Sequence, residues 1–85
     1  MRKYDPLQRH LERQKVSELQ MSFAEIERCL GAMLPNSSAR PQWWANAVHP
    51  IHQHVQQRAW RDAGYDAFLI AGADRVRFKR RLDPR

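Results

Sequence analysis

The chain has 85 residues, of which 42% are apolar, and its 15 Lys and Arg against nine Asp and Glu give a formal charge of +6. This length predicts one small domain over residues 1–85, frayed at residues 1–3 and 82–85, and the apolar content excludes a wholly disordered chain. No run approaches the ~20 apolar residues of a membrane span, and the first residues lack the apolar stretch of a secretory signal.

A short helix and a strand are predicted at the start of the chain. Leu7 and Leu11 are four residues apart and follow Pro6, a spacing and a first-turn proline that favour a helix. In VSELQMSF, Leu19 and Met21 alternate with polar residues, which is the period of a strand.

The clearest local signal begins at Ser22. SFAE is a capping box, in which the Ser22 hydroxyl accepts from the backbone N–H of Glu25 and the Glu25 carboxylate accepts from the N–H of Ser22. Apolar residues then recur at helical spacing, and Gly31 is a candidate C-cap. We predict a helix over Phe23–Leu30.

A loop at LPNSS and the tryptophan-rich segment WWAN lead to a further predicted helix over residues 52–63, which Gly64 ends. Apolar residues recur every four positions along it. Its apolar stripe consists of Ile51, Val55, Ala59 and Ala63. Its polar face consists of Gln53, Gln57, Arg58 and Arg61.

The C-terminal part predicts a β-hairpin. Residues 65–71 are rich in β-formers, AGAD at 71–74 supplies the turn, and RVRFK alternates so that Val76 and Phe78 point to a core. With the first strand, the hairpin makes a three-stranded antiparallel sheet. We therefore predict an α+β fold, with two to three helices packed on one face of a small antiparallel sheet. Its order of elements is winged-helix-like, with the 52–63 helix in the place of a recognition helix.

Several short motifs resemble a family of small uncharacterised bacterial and phage domains. The resemblance rests on YDPL, SFAEIERCLG, LP, WWAN, RAW, AGY and VRF and covers residues 4–78. Its most specific parts are SFAEIERCLG and WWAN. The insertion AVHPIHQHVQQ between WWAN and RAW departs from the family pattern and is particular to this chain. The resemblance implies a compact domain of bacterial or phage origin and carries no settled activity.

Trp43, Trp44 and Trp60 favour a hydrophobic core, because large aromatic residues dominate the cores of small domains. Trp43 and Trp44 cannot both face one core from a regular strand, since adjacent side chains point to opposite sides. We therefore expect one of them to pack inward and the other either to cover a helix or to contact a partner, by stacking on unpaired bases or anchoring a protein, with Trp43 as the candidate contact. The side chain of Asn46 is expected to cap a turn or a helix.

The histidines of HPIHQH, at positions 49, 52 and 54, do not have the spacing of a zinc site, which needs further Cys or His ligands. Cys29 is the only cysteine, which fits a reducing, cytoplasmic compartment, and we expect it to be a buried small apolar residue. No glycine-rich phosphate loop is present. We expect no metal, no other cofactor, no small-molecule substrate and no enzymatic activity; a small metal-dependent enzyme is the least favoured alternative.

The basic C-terminal strand is the strongest functional hint, since Arg75, Arg77 and Lys79 share one face. A solvated sheet face is the simplest explanation, and a surface lying against phosphates is the functional one. The candidate contact residues are Arg58, Arg61, Arg75, Arg77, Lys79, Arg80, Arg81, Gln53, Gln57 and Trp43.

Two functions fit this basic surface. The first is a non-enzymatic nucleic-acid-binding module or regulator that contacts DNA or RNA backbone through the hairpin. The alternative is a protein-interaction module for an acidic protein surface, such as a phage-encoded inhibitor of a host defence or nucleic-acid-processing complex. A regulator attached to a nuclease or toxin belongs to the same class.

Overall fold

A computed structural model of the chain describes residues 3–46 and 55–81. These residues form three helices, two 3₁₀ turns and three strands. In chain order they are α1 (Asp5–Glu12), β1 (Glu18–Ser22), α2 (Phe23–Leu30), the 3₁₀ turns Asn36–Ala39 and Pro41–Trp44, α3 (Val55–Arg61), β2 (Tyr65–Ile70) and β3 (Arg75–Arg80).

The strands form one antiparallel sheet in the order β1-β3-β2. The C-terminal hairpin supplies β2 and β3, and β1 pairs with the other side of β3, so that Phe78 lies between Leu19 and Ala67. The hairpin turn places Gly72 at φ 78° and Asp74 at φ 49°, a left-handed region that Gly and Asp enter more easily than most residues. The predicted α+β fold and its hairpin are confirmed.

Local chemistry fixes both ends of α2. The Ser22 hydroxyl accepts from the N–H of Glu25 at 3.1 Å, and the Glu25 carboxylate accepts from the N–H of Ser22 at 2.7 Å. Gly31 ends the helix at φ 72°, a conformation in which a Cβ is strained. The predicted helix bounds, capping box and C-cap are confirmed.

The three tryptophans meet in the core, as predicted. Trp44 and Trp60 are buried and Trp43 is half-buried. The ring centroid of Trp44 lies 4.6 Å from that of Trp43 and 5.3 Å from that of Trp60. A 3₁₀ turn rotates successive residues by about 120°, so the turn Pro41–Trp44 brings two adjacent indoles into one cluster, which a strand would separate.

The helix α1 covers one side of this cluster. Leu7 and Leu11 are buried, and the Tyr4 ring packs edge-on against Trp43 at 5.9 Å. The short helix predicted after Pro6 is confirmed. None of the described helices is long and apolar enough to cross a bilayer. Apart from Lys3, the ends predicted to be frayed lie outside the described residues.

The inward face of α3 matches the predicted one only in part. Val55, assigned to the apolar stripe, is 62% exposed, whereas Gln56 and Gln57 are buried. The Gln57 side-chain amide donates to the Ala45 carbonyl at 2.7 Å, and that of Gln56 donates to the Trp43 carbonyl at 3.3 Å. Backbone carbonyls accept from the buried amide nitrogens. The prediction is therefore wrong for Val55 in the apolar stripe and for Gln57 in the polar face, whereas it is confirmed for Ala59, which is buried, and for Ala63, which packs against the core. Residues 51–54 of that prediction lie outside the described residues.

Asn46 joins the tryptophan segment to the sheet. Its side-chain N–H donates to the Ala67 carbonyl at 2.8 Å, and its side-chain oxygen accepts from the Ala67 N–H at 2.8 Å and from the Trp60 indole at 3.1 Å. The amide therefore pairs with the outer edge of β2 as a neighbouring strand would. Asn46 is structural, as expected, but it holds a strand and a buried indole and does not cap a turn or helix.

Candidate functional site

The sheet has one face turned away from the helices, which we call the outer face. On the middle strand β3, Val76 and Phe78 are buried while Arg75, Arg77 and Lys79 are exposed, because successive strand residues point to opposite sides. The alternation predicted from the sequence is confirmed. Three cations thus stand in a row, two residues apart, along the centre of the sheet.

The strand register defines what flanks each cation. Lys79 lies opposite Glu18 and Asp66, and Arg77 lies opposite Gln20 and Phe68. Arg75 lies opposite Ser22 and Ile70. The outer face therefore consists of Glu18, Gln20, Ser22, Asp66, Phe68, Ile70, Arg75, Arg77 and Lys79. Carboxylates flank one end of its row of cations, and the middle and the other end have polar and apolar neighbours.

One cation of the row is partly neutralised. The guanidinium of Arg77 lies 3.2 Å from the carboxylate of Glu18, and both side chains are close to half-exposed. Exposed pairs of this kind contribute only ~0.5 kcal/mol, so the guanidinium exchanges partners readily. Arg75 and Lys79 form no ion pair with any residue in the described ranges.

Arg80 and Arg81, predicted to extend the basic run, are held by the fold. The Arg80 guanidinium donates to the Gln14 carbonyl at 2.8 Å and lies over the Tyr65 ring, 5.2 Å from its centroid. Arg81 donates to the Arg61 carbonyl at 2.9 Å. These contacts fasten the end of β3 to the loop after α1 and to the end of α3.

The two arginines of α3 differ in their relation to the outer face. Arg58 pairs with Asp62 at 3.7 Å and borders an open groove between α1 and α3. Arg61 pairs with Asp66 at 3.1 Å, beside the start of β2. Because α3 packs on the inner side of the sheet, where Trp60 lies 6.4 Å from Phe78, the helix axis lies away from the outer face, and of its two arginines Arg61 is the one paired with an outer-face residue.

The other predicted contact residues also lie off the outer face or outside the described residues. Gln57 is buried and hydrogen-bonded, so it is not available to read base edges. Gln53 lies outside the described residues. Trp43 is half-buried and lines a shallow recess with Arg40 and Gln42, on a surface formed by the 3₁₀ turns and not by the hairpin.

Among the outer-face residues that the sequence prediction missed, Phe68 and Glu18 matter most for the site. Phe68 is exposed on the outer face opposite Arg77. The alternation of inward and outward side chains along β3, applied to β2 as well, would have predicted this position. Glu18 joins the face through the pairing of β1 with β3, which links residues about 60 positions apart in the chain. No local pattern marks such a contact.

The described cysteine and acidic residues provide no activated nucleophile and no metal cluster. Cys29 is half-buried, less so than predicted, and its thiol donates to the Pro6 carbonyl at 3.4 Å. Burial raises the pKa of Cys29, which keeps the thiol protonated. Within residues 3–46 and 55–81, no three His, Cys, Asp or Glu side chains are grouped so as to hold a metal ion. The histidines of HPIHQH lie outside those ranges.

Taken together, fold and site define a small α+β domain with a cationic row on the open face of its sheet. The chain belongs to the family described as a domain of unknown function, DUF7662, whose model matches residues 4–81. No curated protein matches the chain. No solved structure matches it either.

Proposed function

We propose that this domain is a non-enzymatic binding module that holds the backbone of a nucleic acid against the outer face of its sheet. The observation that supports this most strongly is the exposed row of Arg75, Arg77 and Lys79 on the middle strand. Residues two apart on a strand are separated by roughly 7 Å. A row of cations at that spacing suits the successive phosphates of an extended strand.

The chemistry of the described residues supports binding over catalysis. The Cys29 thiol is protonated and hydrogen-bonded to a backbone carbonyl. The Glu25 carboxylate belongs to the cap of α2, and that of Asp66 holds two arginines. Arg75 and Lys79, by contrast, have no ion-pair partner in the described ranges and therefore remain available to an anion.

A double charge reversal tests the proposal. Arg75→Glu combined with Lys79→Glu should weaken binding to a labelled 20-nucleotide oligomer by at least about tenfold at low salt and lower the salt slope by about 2. Fluorescence anisotropy across a salt series measures both quantities. Arg9→Glu combined with Arg40→Glu is the matched control, because it changes the net charge equally on exposed residues outside the outer face. Equal loss in both variants, or no binding by the wild type, contradicts the proposal.

A second candidate is a protein partner whose surface is mainly acidic but carries basic groups opposite the outer-face carboxylates, and the mixed charge of the outer face favours it. Glu18 and Asp66 flank Lys79 in the register, so the face carries three cations and two carboxylates. A protein surface can place acidic groups opposite the cations and basic groups opposite the carboxylates, whereas a phosphate backbone repels the carboxylates. A phage-encoded inhibitor that covers the nucleic-acid surface of a host complex is one module of this kind.

Glu18→Lys separates the two candidates. The change frees Arg77 from its carboxylate and adds a positive charge to the outer face. Nucleic-acid affinity should therefore rise by about threefold to tenfold at low salt, and binding to a protein that pairs with Glu18 should fall. Anisotropy with an oligomer and co-purification from the source cell read out the two effects. An oligomer affinity that does not rise argues against the nucleic-acid candidate.

A further inference from the structure

We propose, as an extension of the proposed function and resting on it, that the nucleic acid is single-stranded and that one unpaired base stacks on Phe68. The eight aromatic residues all lie in the described ranges, and seven of them are buried or half-buried. Phe68 alone is exposed, at 46%. Among the Phe, Tyr and Trp rings, the exposed one thus lies on the same face as the row of cations.

The position of Phe68 within that face fits stacking. It lies directly opposite Arg77 on the neighbouring strand, with Arg75 and Lys79 at the diagonal positions. Cross-strand neighbours are separated by about 5 Å and diagonal ones by about 7 Å. A base on the ring would therefore keep its own phosphate, and the next one along, within reach of long cationic side chains.

A stacking ring discriminates between single strands and duplexes. In a duplex each base is covered above and below by its neighbours, and only base edges and phosphates are open to the protein. An unpaired base offers its flat face, and stacking on an aromatic side chain tolerates any sequence. An exposed aromatic on the open face of a sheet offers nothing for a duplex to stack on, and it favours self-association unless something covers it.

The size of the face limits the length of strand that it holds. From Arg75 to Lys79 the middle strand extends roughly 14 Å, which gives room for only a few nucleotides. The structure therefore points to a short site, with phosphates on the three cations and one base on Phe68. A longer oligomer would bind more tightly only because it contains more stretches of nucleotides that can occupy this short site.

Phe68→Leu is the informative substitution, because it keeps an apolar side chain and removes the aromatic face. Anisotropy should compare an oligo-dT decamer with a DNA hairpin duplex of similar charge, and circular dichroism should verify that the variant is folded. We expect wild type to prefer the decamer. Phe68→Leu should weaken decamer binding by about tenfold and leave duplex binding unchanged, while Phe68→Trp should keep or strengthen decamer binding.

The outcomes of these experiments are distinguishable. If Arg75→Glu with Lys79→Glu abolishes binding and Phe68→Leu changes nothing, the cationic row binds nucleic acid and the stacking inference is wrong. A wild-type preference for the duplex also overturns the stacking inference. If the wild type binds neither nucleic acid but binds polyglutamate, and Phe68→Leu weakens that binding, the ring belongs to a protein interface, and both the proposed function and this inference are overturned.

Discussion

At the scale of single residues, the side chain of Asn46 links the tryptophan segment to both β2 and α3. One side-chain amide completes three hydrogen bonds, to both backbone groups of Ala67 and to the indole of Trp60. The indole N–H belongs to a fully buried ring, where an unpaired donor costs more free energy than an ordinary hydrogen bond contributes. The sequence predicted a structural role for Asn46, but its partner Ala67 is 21 positions away, and no local pattern reveals that distance.

Replacing this amide should destabilise the domain strongly. Asn46→Ala leaves the Trp60 indole and the Ala67 edge without these partners, and we expect the free energy of unfolding to fall by about 3 kcal/mol. Urea denaturation followed by circular dichroism measures the change. Asn36→Ala, which alters an exposed asparagine in a 3₁₀ turn, is the control and should change stability by less than about 0.5 kcal/mol. Similar losses in both variants would show that the Asn46 bonds are not what stabilises the β2 edge.

At the scale of elements, α2 and α3 show what sequence patterns can and cannot predict. Every feature of α2 is local, since its cap, apolar stripe and terminal glycine lie within ten residues. For α3, the four-residue period placed Ala59 correctly but Val55 and Gln57 wrongly, because the inward glutamines donate to carbonyls on the tryptophan segment. A buried glutamine looks the same in the sequence as an exposed one, and only the partner 12 or 13 positions away distinguishes them.

The cap of α2 predicts a dependence of stability on acid. The hydrogen bonds from the backbone and the side chain of Ser22 hold the pKa of Glu25 below its ordinary value of 4.5. A carboxylate with a lowered pKa stabilises the fold above its unfolded pKa, and the contribution is lost as the pH falls through the folded value. Wild type should therefore lose stability below about pH 4.5 more steeply than Glu25→Gln. Glu12→Gln, outside any capping box, is the control and should follow the wild-type curve. Parallel curves for wild type and Glu25→Gln, in urea titrations from pH 7 to pH 3, would contradict this expectation.

At the scale of the whole molecule, one aromatic cluster connects the sheet, α2, α3 and the 3₁₀ turns. Trp44 contacts the rings of Phe23, Trp60 and Phe78 as well as that of its neighbour Trp43. The cluster belongs to one continuous core that also contains Leu7, Leu11, Ile26 and Val76, so the parts of this small domain should unfold together. The composition of the sequence predicted the aromatic core. Which arginines are exposed and which are held by the fold depends on tertiary contacts, such as that of Arg80 with Gln14.

Truncating the central ring should therefore remove most of the stability of the domain. Trp44→Ala should cost about 4 kcal/mol, a large part of the stability that a domain of this size has. Trp44→Phe keeps a ring and should cost less, though it loses the hydrogen bond to the Ser38 carbonyl. Urea transitions of wild type, followed by tryptophan fluorescence and by circular dichroism, should coincide. Separate transitions would show that the sheet and the helices unfold independently.

The amide of Asn46 has a last consequence, for how copies of this protein can associate. A sheet grows into a fibril only when strands of further molecules can add at both of its borders. At the β2 border a side chain already occupies the backbone groups of Ala67, so an incoming strand would first have to displace it and expose the Trp60 indole. A single side chain thereby protects the middle of the β2 edge against the addition of a further strand.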